Sequence, residues 1–218
     1  MKTSPWDFVL CGAFITVILA GALAVIALLV APLTRATLGD YHAVADFLLL
    51  LLAYGLLSAL VVRTLLTVRR IEPGEYSMDS GVFTYWKLLT ILYRLGQGAL
   101  LPFTPVFVKP VVEMLFGAKV GANVAMGGTI DDPYMVSIGA GAVLGNGSLV
   151  SGNVIANGKI RLGEIRIGVG ATLGVNSVLL PGTEVGDNAL VMGGAMVMSG
   201  AKIPAGETWR GNPARKWM

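Results

Sequence analysis

The chain has 218 residues, of which 55% are hydrophobic and 13% charged, with a mean hydropathy of +0.73. That is too apolar for a soluble enzyme of average usage, and the excess lies in the first third. The single cysteine, Cys11, excludes a disulfide framework, and a net charge of +3 spread over isolated residues gives no support to nucleic-acid binding.

Residues 8–30 carry no charge and are long enough to cross roughly 30 Å of hydrocarbon. A cleavable signal peptide is the competing reading. The run is too long for a typical apolar signal core, and Pro32, Thr34 and Arg35 follow it instead of a small-x-small cleavage site. The sequence therefore predicts a retained transmembrane helix with Trp6 at the interface. After a polar turn at 34–42, residues 43–62 form a second predicted span. Asp46 lies near its start, where it either serves function or caps the helix within reach of the headgroups. His42, the only histidine, heads this helix.

Arg63, Arg69 and Arg70 follow the second span, against Arg35 alone in the turn. By the positive-inside rule this places the arginine-rich side, Lys2 and everything after residue 70 in the cytoplasm. Residues 71–81 read as a polar linker. Residues 82–95 read as an amphipathic helix, with Lys87 and Arg94 at the edge of its apolar side. It lies in the membrane surface or packs on a neighbouring subunit. Residues 100–116 are broken by Pro102, Pro105 and Pro110 and form a re-entrant or interfacial connector, whose last helix, 111–116, caps a solenoid.

The solenoid is the clearest signal. Ile167, Leu173, Leu179, Val185, Val191, Val197 and Ile203 fall six residues apart without a slip. A glycine or turn-former often stands two positions after the aliphatic, and a small residue four positions after it. A fixed short period marks a repeat architecture, and six fits a parallel β-helix with three flat sides. The same code runs upstream through Val120, Met126, Ile138, Leu144 and Val150. It is interrupted at 128–136, which contains Asp131-Asp132-Pro133, and at 151–164. Both interruptions are expected to leave the coil as surface loops.

The region from about Gly117 to Met218 resembles the hexapeptide-repeat acyltransferases. The closing Gly211-Asn212-Pro213-Ala214-Arg215 and the opening Asp132-Pro133-Tyr134-Met135-Val136-Ser137-Ile138-Gly139 carry the likeness beyond the repeat itself. The resemblance implies a left-handed coil, a homotrimer and acyl-coenzyme A as co-substrate. In architecture the chain also resembles the membrane-bound C-terminal modules of poly-amino-acid nonribosomal peptide synthetases. The expected fold is thus a membrane-anchored, mostly β protein. Two N-terminal transmembrane helices (1–70) and an interfacial segment (71–117) precede a left-handed β-helix with its tail (118–218).

The family typically supplies a histidine base from a loop after the first full coil. Here that loop, 151–155, has none, and Asn153 is the nearest polar side chain. An amide cannot act as a base, although it can orient a substrate or donate to an oxyanion. Asp131 and Asp132 are weighed as substitute carboxylates against an ordinary turn before proline. Missing loop histidines also remove the metal site of the β-helical carbonic anhydrases, so no metal is expected. Aligning the repeats, the resemblance implies coenzyme A contacts at Val175, Gly194 and Ser199, with Arg215 meeting a phosphate. Gly200 stands where the family often has lysine. Two functions remain open. One is a membrane-bound acyltransferase acting on a membrane-proximal sugar, amine or peptide. The other is a non-catalytic trimeric membrane scaffold.

Overall fold

The structure, a computed structural model, describes residues 4–217; Lys2, used above for topology, lies outside them. The chain forms two compact units. The first comprises the residues up to Arg70 together with Thr84–Thr104, and the second comprises Ile71–Phe83 and Pro105 onward.

The first unit corrects the expectation of two separate N-terminal helices. Pro5–Val68 is one helical run, the single segment long and apolar enough to cross a membrane among the described residues. Within it lie α1 (Pro5–Val25), a π-helical stretch (Ile26–Val30), α2 (Ala31–Leu38), a 3₁₀ turn (Gly39–Tyr41) and α3 (His42–Val68). Pro32 has no N–H to give the carbonyl four residues back, which accounts for the wide turn just before it. Gly39, with φ +54°, reverses the chain. Gly21 then meets Leu57, and the Thr34 hydroxyl donates to Asp46 Oδ1 at 2.6 Å, so α1 and α3 run antiparallel. The helical hydrogen-bonding scarcely lapses at the reversal, so polarity alone could not show that 34–42 is itself helical. Asp46 also bonds His42 Nδ1 at 2.9 Å, a side-chain pair one turn apart at the head of α3. Only 17% of the most apolar window is buried; Phe8, Val17, Leu28, Leu29, Leu60 and others face outward.

Helix α4 (Gly81–Leu100) differs from the surface-lying helix expected at 82–95. Leu88, Leu89, Leu92 and Tyr93 are buried, and Tyr85 donates to the carbonyls of Leu65 and Arg69 at the end of α3. Lys87 is not at an edge: it is 7% exposed, with Nζ on Asp7 of α1. Helical periodicity assigns faces but cannot reveal a counter-charge eighty residues away.

The second unit is the coil. Three parallel sheets form its sides. Side one stacks Val120, Ile138, Ile167, Val185 and Ile203; side two stacks Met126, Leu144, Leu173, Val191 and Trp209; side three stacks Ile130, Val150, Leu179 and Val197. Nearly all of these are buried, giving one continuous core in a left-handed solenoid. Most corner turns place a left-handed residue three positions after the aliphatic, not two, and glycine or asparagine fills it, as at Gly170, Asn176 and Gly182. The glycine directly after an aliphatic has another cause: a Cβ on Gly174 would lie 2.3 Å from the Gly193 nitrogen in the next coil. Helix α5 (Lys109–Leu115) covers the open end of the coil, with Phe116 buried and Lys109 Nζ on the Gly128 carbonyl.

The two interruptions behave differently. Val120 and Ile138 remain eighteen residues apart, the same as Ile167 and Val185, so 128–136 adds nothing to the coil. Side three simply starts two residues early, at Ile130, and the next corner is longer by the same amount. The expected surface loop there is instead a corner of the coil, with Asp132 in the left-handed conformation (φ +58°) and a 3₁₀ turn over Pro133–Met135. Residues 151–164 do leave the coil, as a hairpin. Asn153–Ala156 pairs antiparallel with Lys159–Leu162 about Asn157-Gly158, both with positive φ. Gly74–Ser77, inside the expected linker, adds a third strand to this arm.

Candidate functional site

The arm springs from the corner between sides three and one, and the candidate site lies at its root. Gly163 N–H donates to the Gly152 carbonyl at 2.9 Å, closing the hairpin base, while Gly152 N–H reaches Asp131 in the coil beneath. A Cβ on Gly152 would come within 3.0 Å of the Asp132 side chain, so glycine lets the two turns close up.

This stacking brings together two residues 21 apart in sequence. Asn153 Nδ2 donates to Asp132 Oδ2 at 2.6 Å, and the Tyr134 hydroxyl donates to Oδ1 at 3.1 Å. Ser151 Oγ donates to the Asn153 carbonyl at 2.9 Å, fixing the strand that carries it. Asp132 is fully buried. A buried carboxylate needs its lone pairs met, and these donors meet them. A carboxylate only accepts, so it fixes which end of the amide faces it. Asn153 must offer its nitrogen to Asp132, and its Oδ1 is then directed elsewhere.

The other expected contacts divide between two corners. Val175 and Gly194 meet at the corner between sides two and three, where Gly194 N–H donates to the Val175 carbonyl at 2.9 Å. Both are exposed. A Cβ on Gly194 would find open space, but φ there is +69°. Backbone conformation, not ligand clearance, is therefore what calls for glycine. Ser199 sits on the arm's corner, two coils above the root. There it borders a cleft of about 340 Å³ with Arg161, Glu164, Arg166 and Glu184. Gly200, in the place of the family's lysine, is the left-handed residue of that corner (φ +75°). Arg215 lies exposed in the tail and donates to its neighbour's carbonyl, Ala214. The tail runs antiparallel to Thr208–Arg210, and Ala214 N–H bonds Met196, two residues beyond Gly194. Within one chain, then, Val175, Gly194 and the tail share one region, while Asn153 and Ser199 share another.

Asp132 was legible as a turn former or a substitute carboxylate, but not as the partner of Asn153. Tyr134 and Ser151 gave no signal of their own. Asn157-Gly158 between Val154-Ile155 and Ile160 was the sign that the interruption is a hairpin. Around the tail, the Lys216 ammonium at 2.6 Å and the Trp209 indole N–H at 2.9 Å hold the Glu207 carboxyl below its usual range. Arg210 lies 4.9 Å over the Trp217 ring.

No family model matches the chain. A putative acetyltransferase of Bacillus subtilis, YvoF, is 30% identical over 83 residues, covering 38% of this chain and 47% of the relative. Over these residues the coil is similar to a hexapeptide-repeat acetyltransferase in sequence. A mitochondrial gamma carbonic anhydrase of Arabidopsis thaliana is 34% identical over 100 residues, 38% of this chain and 36% of that protein. The delta-poly-L-ornithine synthetase of Acinetobacter baumannii is 24% identical over 177 residues, 77% of this chain and 13% of the synthetase. The chain thus spans less than half the length of each of these relatives. The coil contains no histidine to serve as a metal ligand.

Proposed function

We propose that the protein is a membrane-bound acyltransferase that moves an acyl group from coenzyme A to an amine near the cytoplasmic membrane face, working as a homotrimer. The observation that carries this reading is the Asp132–Asn153 pair at the root of the arm. In the trimer, the Asn153 corner of one chain faces the Val175 and Gly194 corner of the next, so acceptor and donor meet between chains. Asn153 Oδ1 accepts a hydrogen bond from the incoming amine and so aims its lone pair at the thioester carbonyl; the C–N bond forms, the C–S bond breaks, and the proton the nitrogen sheds passes to the departing coenzyme A thiolate. Asp132 does not touch the substrate; it positions the amide. A neutral amine already carries the lone pair it attacks with, whereas a hydroxyl needs a base to remove its proton. A site built on an amide therefore suits an amine. The charged cleft beside Ser199 gives a polar acceptor somewhere to rest. The outward apolar side chains of Pro5–Val68 support a membrane anchor.

The test is acetyl transfer from acetyl-coenzyme A to a panel of primary amines and matched alcohols by the purified full chain. Transfer to amines that falls at least tenfold in Asn153→Ala supports the reading, and transfer to neither class refutes it. Mass measurement in nanodiscs should give a trimer. In a Cys11→Ser background, a cysteine placed in the 36–40 turn should be labelled from outside cells, and one at Trp217 should not.

A non-catalytic scaffold is the second reading. It is favoured by the same pair, because Asp132 spends both oxygens on neighbouring donors. In that case coenzyme A does not bind.

A further inference from the structure

The helical unit contains a slot that the coil's chemistry does not use. It has a volume of about 440 Å³, and apolar groups of Phe8, Cys11, Ile15, Trp86 and Ile91 make up almost all of its wall. Such a volume is in the range of small-molecule sites. Two polar groups among its lining residues are not satisfied. Asp7 is 8% exposed, and one of its oxygens, Oδ2, does two jobs: it accepts from Ser4 N–H, capping α1, and from Lys87 Nζ. Its other oxygen, Oδ1, is buried with no hydrogen-bond partner. Thr90, one turn beyond Lys87 on α4, has a buried hydroxyl that is likewise unpartnered. A buried carboxylate oxygen without a donor is costly. Capping and the ion pair are both accounted for by Oδ2, and the Thr84 hydroxyl, which also lies by the carboxyl, makes no hydrogen bond of good geometry to Oδ1.

We infer that this slot binds the hydroxyl head and first carbons of a long-chain lipid alcohol. The ligand must have an apolar body, because the wall is apolar. It must donate to Asp7 Oδ1, and it gains if it also accepts from Thr90 Oγ1. A hydroxyl does both, whereas a carboxylate cannot donate and an ammonium cannot accept. The Lys87 ammonium beside Asp7 also repels a cationic head. The inference stands on the helical unit alone and is independent of whether the coil transfers acyl groups.

Cys11, the only cysteine, lines the slot and reports its occupancy without any mutation. The full chain in detergent is treated with N-ethylmaleimide while 1-dodecanol or 1-methoxydodecane is added at equal mole fraction. The two probes share a chain and differ in the donor. A hydrogen bond to a charged oxygen in apolar surroundings corresponds to about tenfold in affinity. Dodecanol should therefore protect Cys11 at about a tenth of the concentration the ether needs. Native mass spectrometry should count one bound alcohol in the wild type and none in Gly12→Leu. Gly12 lines the slot with nothing within 4 Å of an added Cβ, so the leucine fills the space without disturbing the ion pair. Equal protection by alcohol and ether would show an apolar groove without a head site and would overturn the proposal. So would protection by neither, or unchanged binding to Gly12→Leu.

Discussion

Asn153→Ala tests whether the arm and the coil are joined through a buried charge. Asp132 is fully buried, and Asn153 supplies one of its side-chain donors at 2.6 Å. Removing that donor takes the Asn153 amide from Oδ2 while Asp132 stays in its corner. A hydrogen bond to a charged group contributes about 1.5–3 kcal/mol, and the orphaned carboxylate keeps its desolvation cost. For a chain of this size each kcal/mol moves the melting point by about 2–4 °C, so the variant should melt about 3–12 °C lower. Asp132→Asn removes the charge and retains an acceptor. It also tolerates the left-handed backbone at φ +58°. In that background Asn153→Ala should cost roughly half as much, because the group left behind is neutral. The assay is thermal melting of the four proteins in one detergent, followed by circular dichroism. If Asn153→Ala melts within 1 °C of wild type, or costs the same in both backgrounds, the pair does not join arm to coil as argued.

Two further outcomes follow from the coil. Gly174→Ala pushes a Cβ against backbone atoms at 2.3 Å and should abolish folding of the coil. Gly194→Ala meets open space and should cost only about 1–2 kcal/mol for its left-handed backbone, a contrast read by the same melts. Glu207 has its pKa lowered, first by Lys216 and then by Trp209, so the folded tail favours the ionised form. That contribution is present above the ordinary glutamate range and is lost as the pH falls through the lowered value. Acid titration of tryptophan fluorescence should show the tail loosening below the usual glutamate pKa, and Glu207→Gln should remove the step.

The repeat was legible because a solenoid writes its core into sequence at a fixed spacing, and Ile167 to Ile203 kept that spacing. The displaced strand at Ile130 was not, because its coil still closes in eighteen residues, and only the pairing of Ile130 with Val150 shows the slip. The arm was visible as a gap, and Asn157-Gly158 could have identified it as a hairpin. Its third strand could not be foreseen, since Gly74–Ser77 gains its structure from a partner more than eighty residues away. The same distance problem hid Asp7 from Lys87 and Asp132 from Asn153. Local pattern gives a residue's face and its conformational need, but not which charge folding will bring to it.

The central claim is that coenzyme A meets the coil, and calorimetric titration of the purified full chain with coenzyme A measures this directly. Saturable binding below millimolar ligand is expected, weakened about tenfold or more in Arg215→Ala by loss of a charge-assisted phosphate contact. No heat at millimolar coenzyme A, with the protein folded by circular dichroism, would contradict the acyltransferase reading and leave the scaffold.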